Sequence, residues 1–529
     1  MDDDGRPLWR LLVQRQAAVP QLLLVAVVMK TAAVCYAVHQ PFISNQFFFD
    51  LARQKITGTE DDLSYAACRT NPADLPPDVQ AACIEAPATA TQFQSYNFAA
   101  QQFSGILWGV LAGRISDAVG RKLPIAVALL GEVAPVIPDY LYVATGSSLW
   151  YYWVTAIVGG CLIPQQMLDL AVRSAICDTM PAKHRTWLMG IYESALPIGL
   201  LIGAPIGSAL SAERALLFAV IAMSTCCLWV LVITRETLPP DRRVPFLPSP
   251  DEAEHVEEEA EKAPGTEMVT LTPSGRREEG EDDSQGEGDG KPGAAPPPPP
   301  PSAARTSTLA KLRTLAREVA IGRMNPIRGL SILGRSRDLT LAALILLLSL
   351  YVHWTAITIS GQFTVMEIGF TKTEITNKFV IGGISATVFT VVIGTLLQRW
   401  MGVKRAMLAA ILLSATQSVL FGLSNSALFV FIVVGFTAAP MIGPMVAGFA
   451  STAVEPNEQG QLQGAIAVVY SLMGGVASLV SAALFEKCSG GPGAWVDAPG
   501  LPFIVAGMVQ LLALPLAFFL RPPERQAAV

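Results

Sequence analysis

Apolar runs of about 20 residues recur along most of this chain, and they limit its fold more than any other feature. A bilayer core about 30 Å thick is crossed by about 20 residues of helix. In hydrocarbon every backbone N–H and C=O needs an internal partner, so such runs are read as helices. Twelve candidate spans are found: near 17–38, 94–113, 123–145, 150–174, 187–210 and 215–234, then near 339–363, 376–398, 404–424, 427–450, 462–485 and 499–520. Only 15% of the 529 residues are charged, against about a quarter in soluble domains, and mean hydropathy is +0.43. The expected fold is an all-α membrane protein of twelve transmembrane helices, arranged as two six-helix pseudo-repeats. The first run follows Arg6, Arg10 and Arg15, but no small-residue cleavage site closes it, so a span is expected there and not a signal peptide.

Lys and Arg in short loops set the orientation. With the N-terminus inside, cytosolic loops hold Arg121, Lys122, Lys183, Arg185, Arg399, Lys404, Arg405 and Arg521, and the short outer loops hold few: Arg214, Lys372 and Lys487. The expected domains are a cytosolic N-terminus (1–16), a first bundle (17–234) with a large outer loop (39–93), a disordered cytosolic linker (235–338), a second bundle (339–520) and a cytosolic tail (521–529). The linker carries the acidic runs 251–262 and 278–283 and the polyproline Pro296–Pro301. Residues 308–324 read as a basic amphipathic helix, lying on anionic lipid or packed on the cytosolic ends of the bundle. The net charge of −6 is local acid in the linker and implies no nucleic-acid partner.

Cys35, Cys161, Cys177, Cys226 and Cys227 fall within or at the ends of spans and read as inert apolar side chains. Cys68, Cys83 and Cys488 fall in loops expected outside, where oxidation is permitted. A Cys68–Cys83 disulfide is expected, with Cys488 as a rival partner for either.

Between the second and third runs lies GRISDAVGRK, Gly113 to Lys122, and the corresponding position of the second half holds GTLLQRWMGVKRA, Gly394 to Ala406. Each has Gly, a polar residue four on (Asp117 or Gln398), then Gly120 or Gly402 followed by basic residues. A six-span unit thus occurs twice, the second copy degenerate, as in many secondary transporters. With this turn and the six-plus-six division, the chain resembles the major facilitator superfamily, whose signature turn joins the second and third spans. Gly113 permits close backbone approach, and Asp117 is expected to face the N-terminus of span eleven near Gln461–Gly464, a contact of about 1 kcal/mol. Gly120 permits the reversal, and Arg121 and Lys122 are expected at lipid headgroups. Such a contact exists only while the cytosolic side is closed, so it acts as a gating latch. The bland alternative is that the charges only obey the positive-inside rule.

In the fifth span, Gly199, Gly203, Pro205 and Gly207 lie mostly on one side, a pattern suited to close helix packing with a kink. It resembles the span-five motif of drug/proton antiporters of the same superfamily, with Ala204 where Pro is usual and Ser208 in place of a closing Gly. That resemblance implies efflux; a plain packing surface explains the same residues.

Ionisable groups within spans are costly, and a functional role is the default hypothesis. They are Lys30, Glu132, Asp169, Arg173, Glu193 and His353, and Gln362 joins Lys30, Glu132 and Asp169 as a substrate-cavity candidate. Glu193 and His353 come from opposite halves and are expected to meet across a central cavity and carry the coupling proton. YESALPIG and LYVHWTAITISGQF are also similar to spans five and seven of the proton-coupled folate and heme-carrier group, whose functional Glu and His match Glu193 and His353. No Arg stands in span ten, where that group has one. His353 as a packing histidine, Lys30 as partner of Glu193 or Glu132 or of an anionic substrate, and Arg173 as partner of Asp169 or of the Asp117 latch remain open alternatives. Asp139, near the outer end, is expected to be solvated.

No phosphate-cradling loop is present, and histidines 39, 184, 255 and 353 have no metal spacing, so neither an enzyme, a cofactor nor a metal is expected. The expected function is proton-coupled export of a small organic molecule by alternating access. The partners are that molecule, protons and membrane lipid, and the protein is a monomer in the plasma membrane. Uptake of an organic anion by proton symport is the alternative, and a non-transporting membrane sensor on the same fold is the alternative of a different class.

Overall fold

In the computed structural model the described residues are 18–57, 65, 68, 75–147, 150, 165–179, 188, 191–238, 330–454, 459–489 and 495–521. The N-terminus, residues 239–329 of the linker, where the 308–324 helix is expected, His184, His255, Cys161 and the tail beyond Arg521 lie outside them.

Helices carry almost all of the described chain. The first half contains α1 (Ala18–Ala37), α2 (Gln40–Thr57), α3 (Pro77–Val119), α4 (Lys122–Val133), α5 (Val136–Thr145), α6 (Gln165–Thr179), α7 (Ala195–Ala209) and α8 (Ala212–Val232). The second contains α9 (Arg337–Met366), α10 (Lys372–Thr387), α11 (Gly394–Gly422), α12 (Ala427–Val434), α13 (Ile442–Thr452), α14 (Gln459–Cys488), α15 (Leu501–Leu511) and α16 (Ala513–Phe519). Short polar residues start several of them. Ser336 and Ser211 accept hydrogen bonds from the backbone N–H three residues on, and Thr371 with Glu374 forms a reciprocal capping box.

Among the described residues nine helical stretches are long and apolar enough to cross a membrane. One of them, Lys372–Gly422, is 51 residues long, about twice what a bilayer needs, and holds the expected eighth and ninth spans. The second span corresponds to α3, and α6 is the described part of the fourth.

Three features depart from the sequence expectation. The outer loop 39–93 is largely helical, because α2 runs on from α1 and α3 begins at Pro77. Hydropathy undercounts helix there, since the segments are amphiphilic and not uniformly apolar. The tenth span is interrupted: α12 ends at Val434, and helix resumes as a 3-10 turn at Ala439–Met441 before α13. Asp139 is buried, at 2% exposure, because α5 follows the turn at Ala134–Pro135 back into the packed interior.

The repeated turn is visible in the backbone. Gly120 has φ +108° and Gly402 has φ +79°, both in the left-handed region that favours glycine. Each marks the reversal after the second span of its half. A further glycine series brings α7 onto α1. A Cβ at Gly199 would stand 2.7 Å from the backbone carbon of Lys30, one at Gly203 would stand 2.3 Å from the Thr31 carbonyl oxygen, and one at Gly207 would stand 2.2 Å from that of Cys35. Only hydrogen fits at these contacts, which is how small residues let membrane helices approach.

Two helix pairs make the most extensive contacts between the halves. α3 lies on α14, with Gly474 against Gln102 and Gly475 against Phe103, and α7 lies on α10, with Gly383 against the Pro197 carbonyl. Each half has its own apolar core, and a third apolar cluster joins Val34, Val38 and Ala204 of the first half to Ile359, Phe363 and Phe370 of the second. Cys68 and Cys83 are joined in a disulfide that ties the segment before α3 to that helix, and Cys488 is a buried free thiol.

Candidate functional site

Part-way along the first-half helices, five ionisable side chains gather from four segments: Lys30 on α1, Glu132 on α4, Asp169 and Arg173 on α6, and Glu193 just ahead of α7. Asp169 and Arg173 are four apart, the spacing of an intrahelical pair. The structure pairs each elsewhere. Arg173 Nη2 donates to Glu193 Oε1, and the Tyr192 hydroxyl donates to Asp169 Oδ1 at 2.5 Å. The chain turns at Ser194, whose hydroxyl donates back to the Ile191 carbonyl. The adjacent residues Tyr192 and Glu193 thereby reach two residues one turn apart on α6. Two consecutive residues of span five hold span four by two polar bonds.

Lys30 makes no ion pair with Glu193, whose carboxylate is taken by Arg173. Its charge acts on Glu132, which also feels Asp169. Glu132 Oε1 is buried with no hydrogen-bond partner. Three carboxylates against two cations leave the cluster with one formal negative charge, and Glu132 is the acid with an open acceptor. Gly199 seats α7 directly on the Lys30 backbone, so the glycine face of span five and the charged cluster meet at one level. From the second half, Tyr470 on α14 lies within electrostatic reach of Glu193, Arg173 and Asp169. The Arg173 and Glu193 side chains keep 21% and 36% exposure, so the pair is only partly withdrawn from solvent.

His353 is not brought to Glu193. Its ring stands edge-on to Trp354 at 5.2 Å, and Trp354 packs on Phe98 of α3. Gln362 is buried at the contact between halves. Its Nε2 lies 3.4 Å from Ser44 Oγ, which also accepts from Gln94 Nε2 at 2.8 Å. Gln362 Oε1 has no partner.

At the end carrying the repeated turn, Arg121 is buried at 6% exposure and does not project to lipid headgroups. Its Nε donates to Asp178 at 2.7 Å, its Nη1 donates to Ser116 at 2.8 Å, and its backbone N–H donates to Glu236 at 2.8 Å. The Lys122 N–H also points to Glu236, at 3.3 Å. Two acids from separate segments converge on the turn, and that convergence draws Arg121 inward. The side chains of Asp117 and Gln461 lie outside the described residues, as does the environment of Gly113. At the opposite end, polar contacts cross between halves: Lys372 Nζ donates to the Leu210 carbonyl at 2.8 Å, and Gln92 donates to Glu486.

Three participants escape the sequence reading. Tyr192 and Tyr470 carry no formal charge and give no signal in an apolar run. Lys378 stands inside the expected eighth span and was legible there; it is buried at 5% exposure on α10.

The sequence matches the family profile of the Major Facilitator Superfamily over residues 86–478 and 339–528. It is 32% identical over 135 residues to the tetracycline resistance protein, class H, of Pasteurella multocida, covering 25% of this chain and 32% of that protein. It is 26% identical over 137 residues to major facilitator superfamily domain-containing protein 10 of Homo sapiens, covering 26% of this chain and 29% of that one. These alignments span about a third of the length of the curated relatives. The crystal structure of the human organic anion transporter MFSD10 (TETRAN) superposes with a TM-score of 0.58 at 17% identity, covering 97% of this chain and 100% of that one.

Proposed function

The chain belongs to the Major Facilitator Superfamily, and from that premise we propose that it exports a small organic molecule in exchange for protons by alternating access. The observation that carries this reading is the Arg173–Glu193 pair within a partly open charged cluster facing Tyr470 of the other half. A proton on Glu193 removes the charge that holds Arg173. The freed guanidinium then has Asp169 or an anionic cargo as its next partner, and α6 is no longer tied to span five at that point. Proton occupancy is thereby linked to how the helices of the first half pack, and through Tyr470 to the second half.

Export is favoured by the span-five glycine face and by the likeness to tetracycline resistance proteins. The cross-half contacts of Lys372 and Gln92 support a conformation closed at the end expected outside, from which cargo loads on the cytosolic side. In this reading both termini and the linker are cytosolic, and the protein acts as a monomer in the plasma membrane. His353, on span seven, is the second proton-carrying candidate, acting in its own half and not through Glu193.

Uptake of an organic anion by proton symport is the second reading, favoured by the cations Lys30 and Arg173 inside the bundle. One experiment separates the two: metabolite levels inside and outside cells with and without the protein, followed by flux of the affected compound into proteoliposomes under an imposed proton gradient. Export predicts depletion inside and accumulation outside; symport predicts the reverse. No gradient-dependent difference in either direction removes the transporter reading.

A further inference from the structure

We infer that the second half holds its own charged binding site, centred on Lys378, that receives the carboxylate of an organic anion. The inference rests on the transporter reading and deepens it by naming the cargo's chemical class. Lys378 is 5% exposed, and its Nζ lies 3.3 Å from both the Ser360 carbonyl and Thr364 Oγ1. Both contacts are longer than ordinary N–H···O bonds, and an ammonium group has three donors to satisfy. Among the described residues no carboxylate lies within salt-bridge distance of it; the Phe379 ring, 5.4 Å away, is its remaining electrostatic neighbour. A buried cation without a counter-charge is strongly disfavoured, because its lost hydration is not replaced. Such a group within a membrane span marks a substrate or ion pathway by default.

The surroundings supply the independent observation. Lys378, Gly382 and Ser385 stand at i, i+4 and i+7 on one face of α10. Gly382 packs toward Val434, where a Cβ would meet Cγ1 at 3.2 Å, and Val434 is the last residue of α12. Ser385 Oγ then bridges the interruption of the tenth span, donating to the Gly435 carbonyl at 2.9 Å and accepting from the Thr437 N–H at 2.8 Å. Irregular backbone at membrane depth is tolerated where it is buried in protein or lines a cavity, and broken helices build the substrate sites of many transporters. On α9, the residues that approach Lys378 share a face with His353: positions 353, 360 and 364 are i, i+7 and i+11. The face of span seven that meets Lys378 thus also carries His353, two turns from Ser360, and Ser385, two turns from Lys378 on span eight, holds the interrupted backbone of span ten. Carboxylate binding there pairs the ammonium group and supplies the acceptors it lacks.

The test uses the full chain in nanodiscs, with benzoate, 1-naphthoate and indole-3-acetate as probes and their primary amides as neutral isosteres. At least one carboxylate is expected to bind and raise the unfolding temperature while its amide does not. Lys378→Gln and Lys378→Met should weaken that carboxylate about tenfold or more, and Lys378→Arg should stay within about threefold. The Met variant guards against misfolding, since apolar replacement of a buried charge is commonly tolerated. The inference is overturned if no carboxylate binds the wild-type protein, if amides bind equally, or if the Gln and Met variants retain wild-type affinity. Gradient-dependent flux in the metabolite experiment is read independently, so loss of this site leaves the transporter reading standing, and absence of flux does not depend on Lys378.

Discussion

Arg173 on the fourth span and Glu193 on the fifth share an ion pair, while Tyr192, the neighbour of Glu193, bonds to Asp169 one turn from Arg173. Span four is thereby held to span five by alternating charge and hydroxyl contacts. Coupling of the two arises from a sequence neighbourhood of two residues on one helix and a helical turn on the other.

Glu193→Gln leaves Arg173 without its counter-charge. We expect loss of proton-driven flux with retention of cargo counterflow, because exchange needs no net proton movement. Stability should fall by about 1.5–3 kcal/mol, the range for a hydrogen bond to a charged group. The double variant Arg173→Gln/Glu193→Gln should recover part of that loss, read as the coupling energy in a thermal-unfolding cycle. Unchanged proton-driven flux in Glu193→Gln removes the residue from the coupling mechanism.

Gly203→Val puts a branched side chain where even a Cβ lies 2.3 Å from a backbone oxygen of α1. A cost of about 1–3 kcal/mol or more is expected, with reduced yield of monodisperse protein in size-exclusion chromatography. Gly448→Ala, where nothing lies within 4 Å of the added atom, is the control and should be near neutral.

Arg121→Gln removes the charge from a buried site where Asp178 stays behind. The expected effect is destabilisation of about 1.5–3 kcal/mol. Hydrogen exchange should report increased opening at the ends of α3, α4 and α6. If Arg121 only faced lipid headgroups, exchange at Asp178 would not change.

Glu367 caps α9 outside the spans, and its carboxyl is raised above the ordinary range, first by burial and second by the charge of Asp497. A raised folded pKa means the stability contribution is full below the unfolded value, near 4.3, and is lost as pH rises through the folded one. The unfolding midpoint should therefore fall between about pH 4 and pH 7 less steeply in Asp497→Asn than in wild type. Identical slopes would show that Asp497 does not act on Glu367.

The Cys68–Cys83 bond closes a loop of sequence separation 15. Reduction should lower stability by up to about 3 kcal/mol by the loop-entropy argument, read as a shift in unfolding midpoint with and without reductant. The Cys68→Ser/Cys83→Ser variant should match the reduced protein.

Much of the architecture was legible because a bilayer imposes length and polarity on each crossing segment one at a time. Runs near 123–145 and 339–363 needed no tertiary information to be read as helices. The polar flanks failed that reading: α2 and the first turns of α3 are helical without being uniformly apolar, and the tenth span breaks within an apolar run. The members of the charged cluster were also legible singly, since each is a costly residue in an apolar context. Their pairing was not. Arg173 has Asp169 at ideal spacing in the sequence and takes Glu193 in the fold.

The sequence alone determined the helical membrane class, the doubled turn at Gly120 and Gly402, and the individual members of the charged cluster. Those follow from composition and local backbone geometry, which act over a few residues. The tertiary structure decided that Arg173 meets Glu193, that Arg121 turns inward to Asp178, that Trp354 packs on Phe98, and that Lys378 meets Ser360 and Thr364 of span seven. Each of these depends on the register and rotation of one helix against another, set by glycine contacts and side-chain packing that no single segment contains.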